Sequence, residues 1–432
     1  MTLGKQAASL AVMHAVEVLQ PLLVLPYAAR VLGAQHFGQY AYAVSIGQFA
    51  ATIVEYGFHW TAQRTAASAR HEPTVIASLF ADVIAAKLAL LVVVTLAGLA
   101  TADGLLALSK PLFLCVMLTA VGGIVFPAWL FIGLERAWQA AFAVAVARSM
   151  ALVFFLTMVT SPVQLDLAVA IQSAIPLVSG LISLPFLLPV GFGGFRAMTF
   201  GRITVQLQSS WRGFLFSFVE RASITLPVPL VEHFAGYLAA GQYSVAEKFV
   251  GATRPFFRVM TETLLPRVAY YAHHDPDAGL SLIWRSLLTL GVGAALSLFL
   301  FFIAPYIIIM FFGNGFTGAI PIVRTMAIIP FLINGNICMS NLYMFNYGHE
   351  RAWSRLTVSG LLVFVAIAYL LSPHLANAAI AVVVAVIAKE GVVFLVSGGF
   401  FVAAGARGKA RVSVLASPAR AVLPAAPDRL SS

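Results

Sequence analysis

Long apolar runs separated by short polar connections fill most of this chain. A helix of about 20 apolar residues crosses the ~30 Å hydrocarbon core of a bilayer. The chain has room for twelve such helices, and the predicted spans are 6–31, 38–57, 78–101, 111–133, 138–160, 166–189, 211–232, 235–266, 284–311, 318–345, 355–372 and 375–402. The pattern therefore predicts an all-α integral membrane protein with about 12 transmembrane helices.

Charged residues are scarce and unevenly distributed between the spans. Of the 432 residues 61% are hydrophobic and 10% are charged, against roughly 25% charged residues in soluble domains. When the connections are assigned alternately to the two sides, Arg30 and Lys110 lie on one side, and the other side holds Lys5, Arg64, Arg70, Arg136, Arg196, Arg202, Arg212, Arg267, Arg285, Arg351, Arg355, Arg407, Lys409, Arg411, Arg420 and Arg429. The positive-inside rule makes the basic side cytoplasmic, so both termini are predicted to lie in the cytoplasm. The same rule accounts for the net charge of +10, and no nucleic-acid partner is predicted.

Two segments with few apolar residues divide the chain into predicted domains. Residues 191–210 are glycine-rich and basic, which predicts a cytoplasmic linker between a six-helix lobe at 1–190 and a second one at 211–402. Residues 403–432 are rich in Ala, Pro and Arg without an apolar helical face, so a disordered cytoplasmic tail is predicted.

The two halves share sequence at fixed offsets. A shift of 203 residues matches Glu17 with Glu220, Pro26 with Pro229, Gly33 with Gly236, and 38–40 with 241–243, and a shift of 215 matches 133–138 with 348–353. Six helices per copy give both halves the same orientation in the membrane. Parallel repeats of this kind occur in secondary transporters, whose substrate path lies between the halves. The repeat predicts two pseudo-symmetric lobes around a central cavity.

Basic side chains within the spans indicate the substrate's charge. A charged group at the bilayer centre costs about 2.5–3.5 kcal/mol, so it normally faces a cavity or a partner. On a continuous eighth span, the spacing of residues 247, 251, 254, 258 and 262 would place them on one face lining that cavity. The candidate substrate-binding residues are Lys248, Arg254, Arg258 and Arg221, and cations of this kind predict an anionic substrate group.

Acidic side chains within the spans are the candidates for coupling or gating. They are Glu17, Glu55, Asp82 and Glu220, and His59 is added because it lies one helical turn after Glu55. The alternative interpretation is that some of these groups form ion pairs for helix packing, such as Asp82 with Lys87. No metal-ligand spacing, ATP-binding phosphate loop or serine-nucleophile motif occurs in the sequence, so neither a cofactor nor an enzymatic activity is predicted.

Several motifs resemble a known family. Leu25–Gly33 (LPYAARVLG), the following FGQY at 37–40, EYGF at 55–58 with Arg64, and PAWLFIGLE at 127–135 resemble Wzx-type bacterial polysaccharide flippases. These form the polysaccharide-transporter branch of the multidrug/oligosaccharidyl-lipid/polysaccharide (MOP) exporter superfamily. The resemblance implies a two-lobed, twelve-helix protein of the bacterial inner membrane. It also implies an undecaprenyl-pyrophosphate-linked oligosaccharide as substrate, and a polysaccharide polymerase and chain-length regulator as possible partners.

Two other functions stay open at this point. A multidrug/cation antiporter of the same superfamily would depend on a dominant acidic site such as Glu55, and the basic stripe of the eighth span counts against it. A membrane-bound polysaccharide polymerase or ligase would carry catalytic Arg or His residues on a large periplasmic loop. No predicted periplasmic connection is longer than about ten residues, which counts against the polymerase or ligase.

Overall fold

A computed structural model describes residues 3–104, 106–188, 200–375 and 377–406, and all its regular elements within these ranges are helical. The helices of the first part are α1 (Leu3–Glu55), α2 (Phe58–Ser68), α3 (Pro73–Thr101), α4 (Lys110–Val125), α5 (Ala128–Gly133), α6 (Ala137–Met158) and α7 (Leu165–Leu187). Those of the second part are α8 (Phe200–Thr225), α9 (Pro227–Gly251), α10 (Arg254–His274), α11 (Pro276–Ser286), α12 (Leu290–Ile307), α13 (Ala319–Met326), α14 (Ile329–Asn336), α15 (Glu350–Leu371) and α16 (Ala378–Ala406). The prediction of an all-α membrane protein is confirmed.

The number of membrane crossings agrees with the apolar pattern. Ten helical stretches in the described ranges are long and apolar enough to cross a bilayer, and two of these, Ala15–Glu55 and Gly201–Gly251, contain 41 and 51 residues. At 1.5 Å per residue these two are about 60 and 75 Å long, roughly twice the hydrocarbon thickness. Each corresponds to two of the predicted spans, so the ten stretches represent ten to twelve crossings.

A glycine bends each of the two long stretches at the repeat-related position. Gly33 has φ 73° and ψ 166°, and Gly236 has φ 74° and ψ 179°. This region of φ/ψ space is essentially restricted to glycine because a Cβ atom would collide with the backbone. The same conformation at two residues 203 positions apart supports the internal repeat and divides α1 and α9 into two legs each.

The legs that follow these bends cross each other in direct backbone contact. A Cβ atom added to Gly38 would lie 1.7 Å from the carbonyl oxygen of Tyr237, and one added to Gly241 would lie 2.5 Å from that of Ala34. Gly38 and Gly241 are themselves matched by the 203-residue shift. The crossing therefore needs glycine on both helices, and we call this contact the glycine crossing.

Polar contacts fix neighbouring segments beside the glycine crossing. The Tyr42 hydroxyl donates to the carbonyl oxygen of Leu106 at 2.6 Å, and the Tyr237 hydroxyl donates to that of Ala107 at 2.7 Å. The Arg30 guanidinium donates to the carbonyl oxygen of Phe311 at 2.9 Å. These segments belong to the predicted periplasmic side of the protein.

By their contacts, residues of the chain form two compact units. One comprises Met1–Ala252, Leu298–Ala327 and Leu361–Ala388, and the other comprises Thr253–Ser297, Ile328–Gly360 and Lys389–Ser432. Phe58, Trp129 and Phe131 lie in a buried core of the first unit. A core of the second unit contains Ile283, Tyr343 and Phe401. The predicted division at 1–190 and 211–402 stays a prediction.

Two boundaries differ from the predictions. Residues 200–210 of the predicted linker form the start of α8, because Ile203 and Leu207, four residues apart, pack one face of the helix on the first unit's core. The remainder of that linker, 191–199, lies outside the described residues. The predicted tail is helical as far as Ala406, and the rest of it also lies outside the described residues.

The prediction of one continuous helix across the basic stripe is wrong. Helix α9 ends at Gly251 and α10 begins at Arg254, so the five stripe positions are divided between two helices. Proline at position 255 has no amide hydrogen, so it cannot donate the hydrogen bond that would continue α9, and it is tolerated in the first turn of a new helix. The helix therefore ends before that proline and begins again around it.

Candidate functional site

A buried lysine in the middle of α3 anchors a charged cluster in the first unit. The Lys87 side chain is 1% exposed, and its ammonium donates to Glu55 Oε2 at 2.5 Å and to the carbonyl oxygen of Gly123 at 3.1 Å. A cation buried in a membrane span needs partners of this kind, because losing its hydration costs several kcal/mol. The Glu55 carboxylate is 33% exposed, so it also has access to the space beside the helices.

The turn after α1 determines where the neighbouring charges lie. Tyr56 and Gly57 have positive φ values of 47° and 73°, which end α1 at Glu55 and start α2 at Phe58. Helix α8 packs on this turn, since a Cβ atom added to Gly57 would lie 2.4 Å from the carbonyl carbon of Gly213. The Tyr56 ring also stacks on Phe214, with centroids 4.5 Å apart.

Helix α8 then brings two further charges to the same place. Glu220 and Arg221 are exposed residues almost two turns after Phe214, and His59 lies within electrostatic range of both, as well as of Glu55 and Lys87. Partial desolvation lowers the pKa of His59; Arg221 and Lys87 also lower it, while Glu55 and Glu220 oppose them. We call Glu55, His59, Lys87, Glu220 and Arg221 the charged cluster. It unites three of the five predicted coupling residues with one predicted substrate-binding residue.

Asp82 lies elsewhere and has a different partner from the one considered for it. Its Oδ2 accepts from Arg202 Nη2 of α8 at 2.8 Å, whereas Lys87 pairs with Glu55. The suggested Asp82–Lys87 pair is wrong, because residues five apart on a helix are about 140° apart around its axis and only i+3 and i+4 neighbours meet. The second Asp82 oxygen is buried and has no hydrogen-bond partner in the part of the chain that the structure describes.

Glu17 belongs to another polar group, formed by α1, α6 and α7. It lies within electrostatic range of Arg148, whose Nη1 donates to Gln20 Oε1 at 3.1 Å. The Gln20 amide in turn donates to Gln172 Oε1 at 3.4 Å. Glu17 and its repeat partner Glu220 therefore lie in different surroundings, a difference that the matched positions do not predict.

The remaining basic candidates are spread over both units. Lys248 pairs with Glu247 at 3.0 Å in the first unit, and its side chain is 44% exposed. In the second unit Arg254 lies within electrostatic range of Glu390. The side chain of Arg258 lies outside the described residues.

A polar group of the second unit was missing from the predicted site. Glu390 pairs with Lys389 at 2.9 Å and accepts from the amide of Asn336 at 2.7 Å. Asn336 lies in an apolar run beside Asn334, and polar amides within a span are the sequence signal that could have identified this group. The unit thus holds a carboxylate with an ammonium, an amide and a guanidinium around it.

Comparison with known proteins identifies the family. The sequence profile described as "Polysaccharide biosynthesis protein" matches residues 3–272, which is more than half of the chain. The chain belongs to this polysaccharide biosynthesis family. The resemblance to Wzx-type polysaccharide flippases is thereby confirmed, as is a place in membrane transport for polysaccharide biosynthesis.

Relatives of this family member are named as transporters. Two of them carry the name "Putative O-antigen transporter". The protein from Escherichia coli (strain K12) is 26% identical over 373 residues, covering 84% of this chain and 88% of the relative. The protein from Shigella dysenteriae is 22% identical over 367 residues, covering 84% and 92%.

Solved structures show the fold of this family member. An inward-facing multidrug resistance MATE family transporter of the MOP superfamily matches with a TM-score of 0.69 and 13% identity, covering 90% of this chain and 96% of that one. An outward-facing structure of a MATE family transporter matches with a TM-score of 0.54 and 15% identity, covering 92% and 95%. The chain therefore has a MATE-like fold.

Proposed function

We propose that this protein is a flippase without enzymatic activity that moves undecaprenyl-pyrophosphate-linked oligosaccharide repeat units across the bacterial inner membrane. The observation that carries the proposal is similarity to two proteins named as O-antigen transporters over 84% of the chain, together with the family match. The units would serve surface polysaccharide synthesis, where a polymerase and a chain-length regulator are the expected partners. Both termini are proposed to be cytoplasmic, from the distribution of basic residues.

The basic side chains are proposed to bind the pyrophosphate or acidic sugars. Arg221 is exposed and lies in the charged cluster, and Lys248 is 44% exposed, so both cations have access to a ligand. Arginine donates two parallel hydrogen bonds to phosphate oxygens and keeps its charge at any relevant pH. Arg254 and Arg258 are proposed for the same role from their place in the sequence. The polyprenyl tail would stay in the lipid.

The acidic side chains are proposed to couple or gate the cycle. Glu55 is the leading residue, because it is one-third exposed and holds the buried Lys87, so a change in its charge alters the pairing of a second group. Glu220 and His59 share the cluster with Glu55, whereas Asp82 and Glu17 would act at separate positions.

Alternating access is proposed as the mechanism of transport. The glycine crossing joins repeat-related helices in backbone contact on the predicted periplasmic side. A contact between repeat-related helices that is centred on backbone atoms can separate as a unit when the lobes move. The glycine crossing would therefore be the periplasmic gate.

Deletion of the gene in the native host tests this function. The expected result is loss of surface polysaccharide, with lipid-linked repeat units accumulating on the cytoplasmic face of the inner membrane. Complementation with the Arg221→Ala and Lys248→Ala variants would then measure their share in substrate binding. Unchanged polysaccharide together with altered sensitivity to cationic drugs would overturn the proposal in favour of an antiporter.

A further inference from the structure

A polar cleft separate from the charged cluster lies between α2 and the end of α5. It has a volume of about 670 Å³ and is lined by Trp60, Thr61, Gln63, Arg64, Ala67, Arg70, Ile132, Gly133 and Glu135. Sites for small molecules usually measure about 300–1,000 Å³, so this cleft is large enough for a ligand head group. None of the roles proposed above uses it.

Helices α2 and α5 pack closely together where they border the cleft. A Cβ atom added to Gly133 would lie 2.8 Å from the carbonyl oxygen of Gln63 and 2.9 Å from Cβ of Ala66, so α5 and α2 meet backbone to backbone. Glu135 has a positive φ of 58°, a conformation that a non-glycine residue adopts at some energetic cost. Close packing and this backbone turn determine the backbone positions from which the lining side chains project.

The lining charges favour an anion. The Arg70 guanidinium pairs with the Glu135 carboxylate at 2.6 Å, which neutralises both. Arg64 is exposed and has no ion-pair partner among the described residues, so the cleft has a net positive charge available to a ligand. A guanidinium in this situation suits the oxygens of a phosphate group.

A second polar group points to a hydroxyl on the same ligand. The side-chain oxygen of Gln63 is buried and has no hydrogen-bond partner among the described residues. A buried acceptor without a donor costs about 1–3 kcal/mol, and a hydroxyl group of a ligand would satisfy it once the Gln63 side chain turns into the cleft that it lines. Head groups of phosphorylated lipids, whether built on glycerol or on sugars, carry phosphate and hydroxyl groups together.

The surroundings of the cleft suit the edge of a membrane. Trp60 lines it and is 53% exposed, and Trp138 at the start of α6 is 41% exposed. Tryptophan is enriched where lipid meets water. Arg64 and Arg70 belong to the basic connections, which places the cleft on the predicted cytoplasmic side.

We propose that this cleft binds the phosphate-bearing head group of a lipid in the cytoplasmic leaflet, with Arg64 on the phosphate, Gln63 on a hydroxyl and Trp60 against the lipid edge. The lipid is either an anionic phospholipid or a polyprenyl-pyrophosphate-linked sugar, since both carry a phosphate and a hydroxyl group. The inference does not rest on the flippase proposal, because binding is measured on the purified chain without transport.

Native mass spectrometry of the delipidated full-length protein tests this proposal. The probes are phosphatidylglycerol, a polyprenyl-pyrophosphate-linked sugar, inorganic pyrophosphate and, as a neutral control, diacylglycerol. Arg64→Gln is expected to weaken binding of the preferred phosphate lipid about tenfold through loss of a charge-assisted contact. Arg285→Gln is the matched control, because it removes an exposed positive charge from the predicted cytoplasmic side outside the cleft.

The outcomes separate the sources of the ligand. Preferential binding of phosphatidylglycerol or of the polyprenyl-linked lipid supports the site and identifies its lipid, provided that the Arg64→Gln variant loses that binding. Gln63→Leu should weaken binding of a hydroxyl-bearing head group as well, and its folding is checked by size-exclusion chromatography. Equal binding by wild type and Arg64→Gln, or an equal loss in Arg285→Gln, would overturn the proposal. Binding of inorganic pyrophosphate without either lipid would overturn the assignment to a lipid.

Discussion

At the scale of single residues, the pairing of Lys87 with Glu55 dominates the first unit. An ammonium that is 1% exposed in a membrane helix has no water to stabilise it, so its stability depends on one carboxylate and one carbonyl oxygen. Glu55 also serves as the proposed coupling group, and a change in its protonation state therefore affects both stability and transport.

Removal of the Glu55 charge should destabilise the protein. Glu55→Gln leaves the Lys87 ammonium buried without a counter-charge, and we expect a loss of about 2 kcal/mol in the free energy of unfolding, since Glu55 is partly exposed. Thermal unfolding in detergent measures the change. Glu220→Gln is the control, because that carboxylate is exposed, and its effect should stay within about 0.5 kcal/mol.

A double variant tests whether the unpaired buried charge causes the loss of stability in Glu55→Gln. Lys87→Met combined with Glu55→Gln removes both charges. Most of the stability lost in Glu55→Gln should return, because the apolar methionine side chain needs no counter-charge in the protein interior. A double variant as unstable as Glu55→Gln alone would show that the ion pair is not the reason for the loss.

At the scale of helices, two contacts determine how α8 and α9 lie against the first helices. The glycine crossing holds α9 against α1, and Arg202 holds the start of α8 against Asp82 on α3. One contact depends on the absence of a side chain and the other on a charge pair. Substitutions should therefore affect them in different ways.

Gly38→Ala should destabilise the protein severely. The added Cβ would lie 1.7 Å from a backbone oxygen, which cannot move without shifting a helix, and we expect a loss of about 3 kcal/mol or a failure to fold. Expression level and thermal unfolding measure it. Gly399→Ala in α16 is the matched control: no atom lies within 4 Å of its added Cβ, so better helix propensity should stabilise the protein by up to about 1 kcal/mol. A tolerated Gly38→Ala would contradict the close approach of the two helices.

Arg202→Gln should loosen the first turns of α8. Without the guanidinium, Asp82 loses its partner and residues 200–208 keep only the packing of their apolar face. Hydrogen–deuterium exchange of these amides should become several-fold faster, while α3 is unaffected. Arg212→Gln, on an exposed part of the same helix, should leave exchange unchanged. Equal rates in both variants would show that the ion pair does not hold the helix end.

At the scale of the whole molecule, the internal repeat connects the fold with the proposed mechanism. Gly33 and Gly236 share one backbone conformation, and Gly38 and Gly241 share one contact. If the lobes part on the predicted periplasmic side, helices around the glycine crossing must separate in each transport cycle.

A cleavable cross-link near the crossing tests this movement. The Tyr42 and Tyr237 rings lie 5.7 Å apart beside the crossing, on helices of the two predicted lobes, so cysteines at these two positions can be linked in a variant whose native Cys115 and Cys338 are replaced by alanine. Linking should abolish transport of the lipid-linked oligosaccharide in vesicles, and cleavage of the linker should restore it. Cysteines replacing Trp138 and Phe186, whose rings lie 5.5 Å apart on α6 and α7, give a control link within one predicted lobe. Full transport by the protein linked at 42 and 237 would exclude a gate at this position.

The sequence by itself determined the class of protein, the approximate number of membrane crossings and the internal repeat. Apolar runs, basic connections and family motifs are local properties, and each depends on residues close together along the chain. That is why the all-α fold and the Wzx resemblance were predicted correctly. The bend at Gly33 and its copy at Gly236 could also be anticipated, because glycine at matched positions indicates a shared backbone requirement.

Only the tertiary structure decided which charges meet. Lys87 has carboxylates at positions 55 and 82 as candidate partners, and the choice depends on how α1, α3 and α8 pack and on which way each side chain faces around its helix. The break at Ala252–Thr253 likewise divided a stripe that periodicity alone made continuous. The cleft at Arg64 joins residues about 70 positions apart and has no local pattern. Ion pairs and cavities depend on distances between helices. The periodicity of residues along a single helix gives no information about these distances.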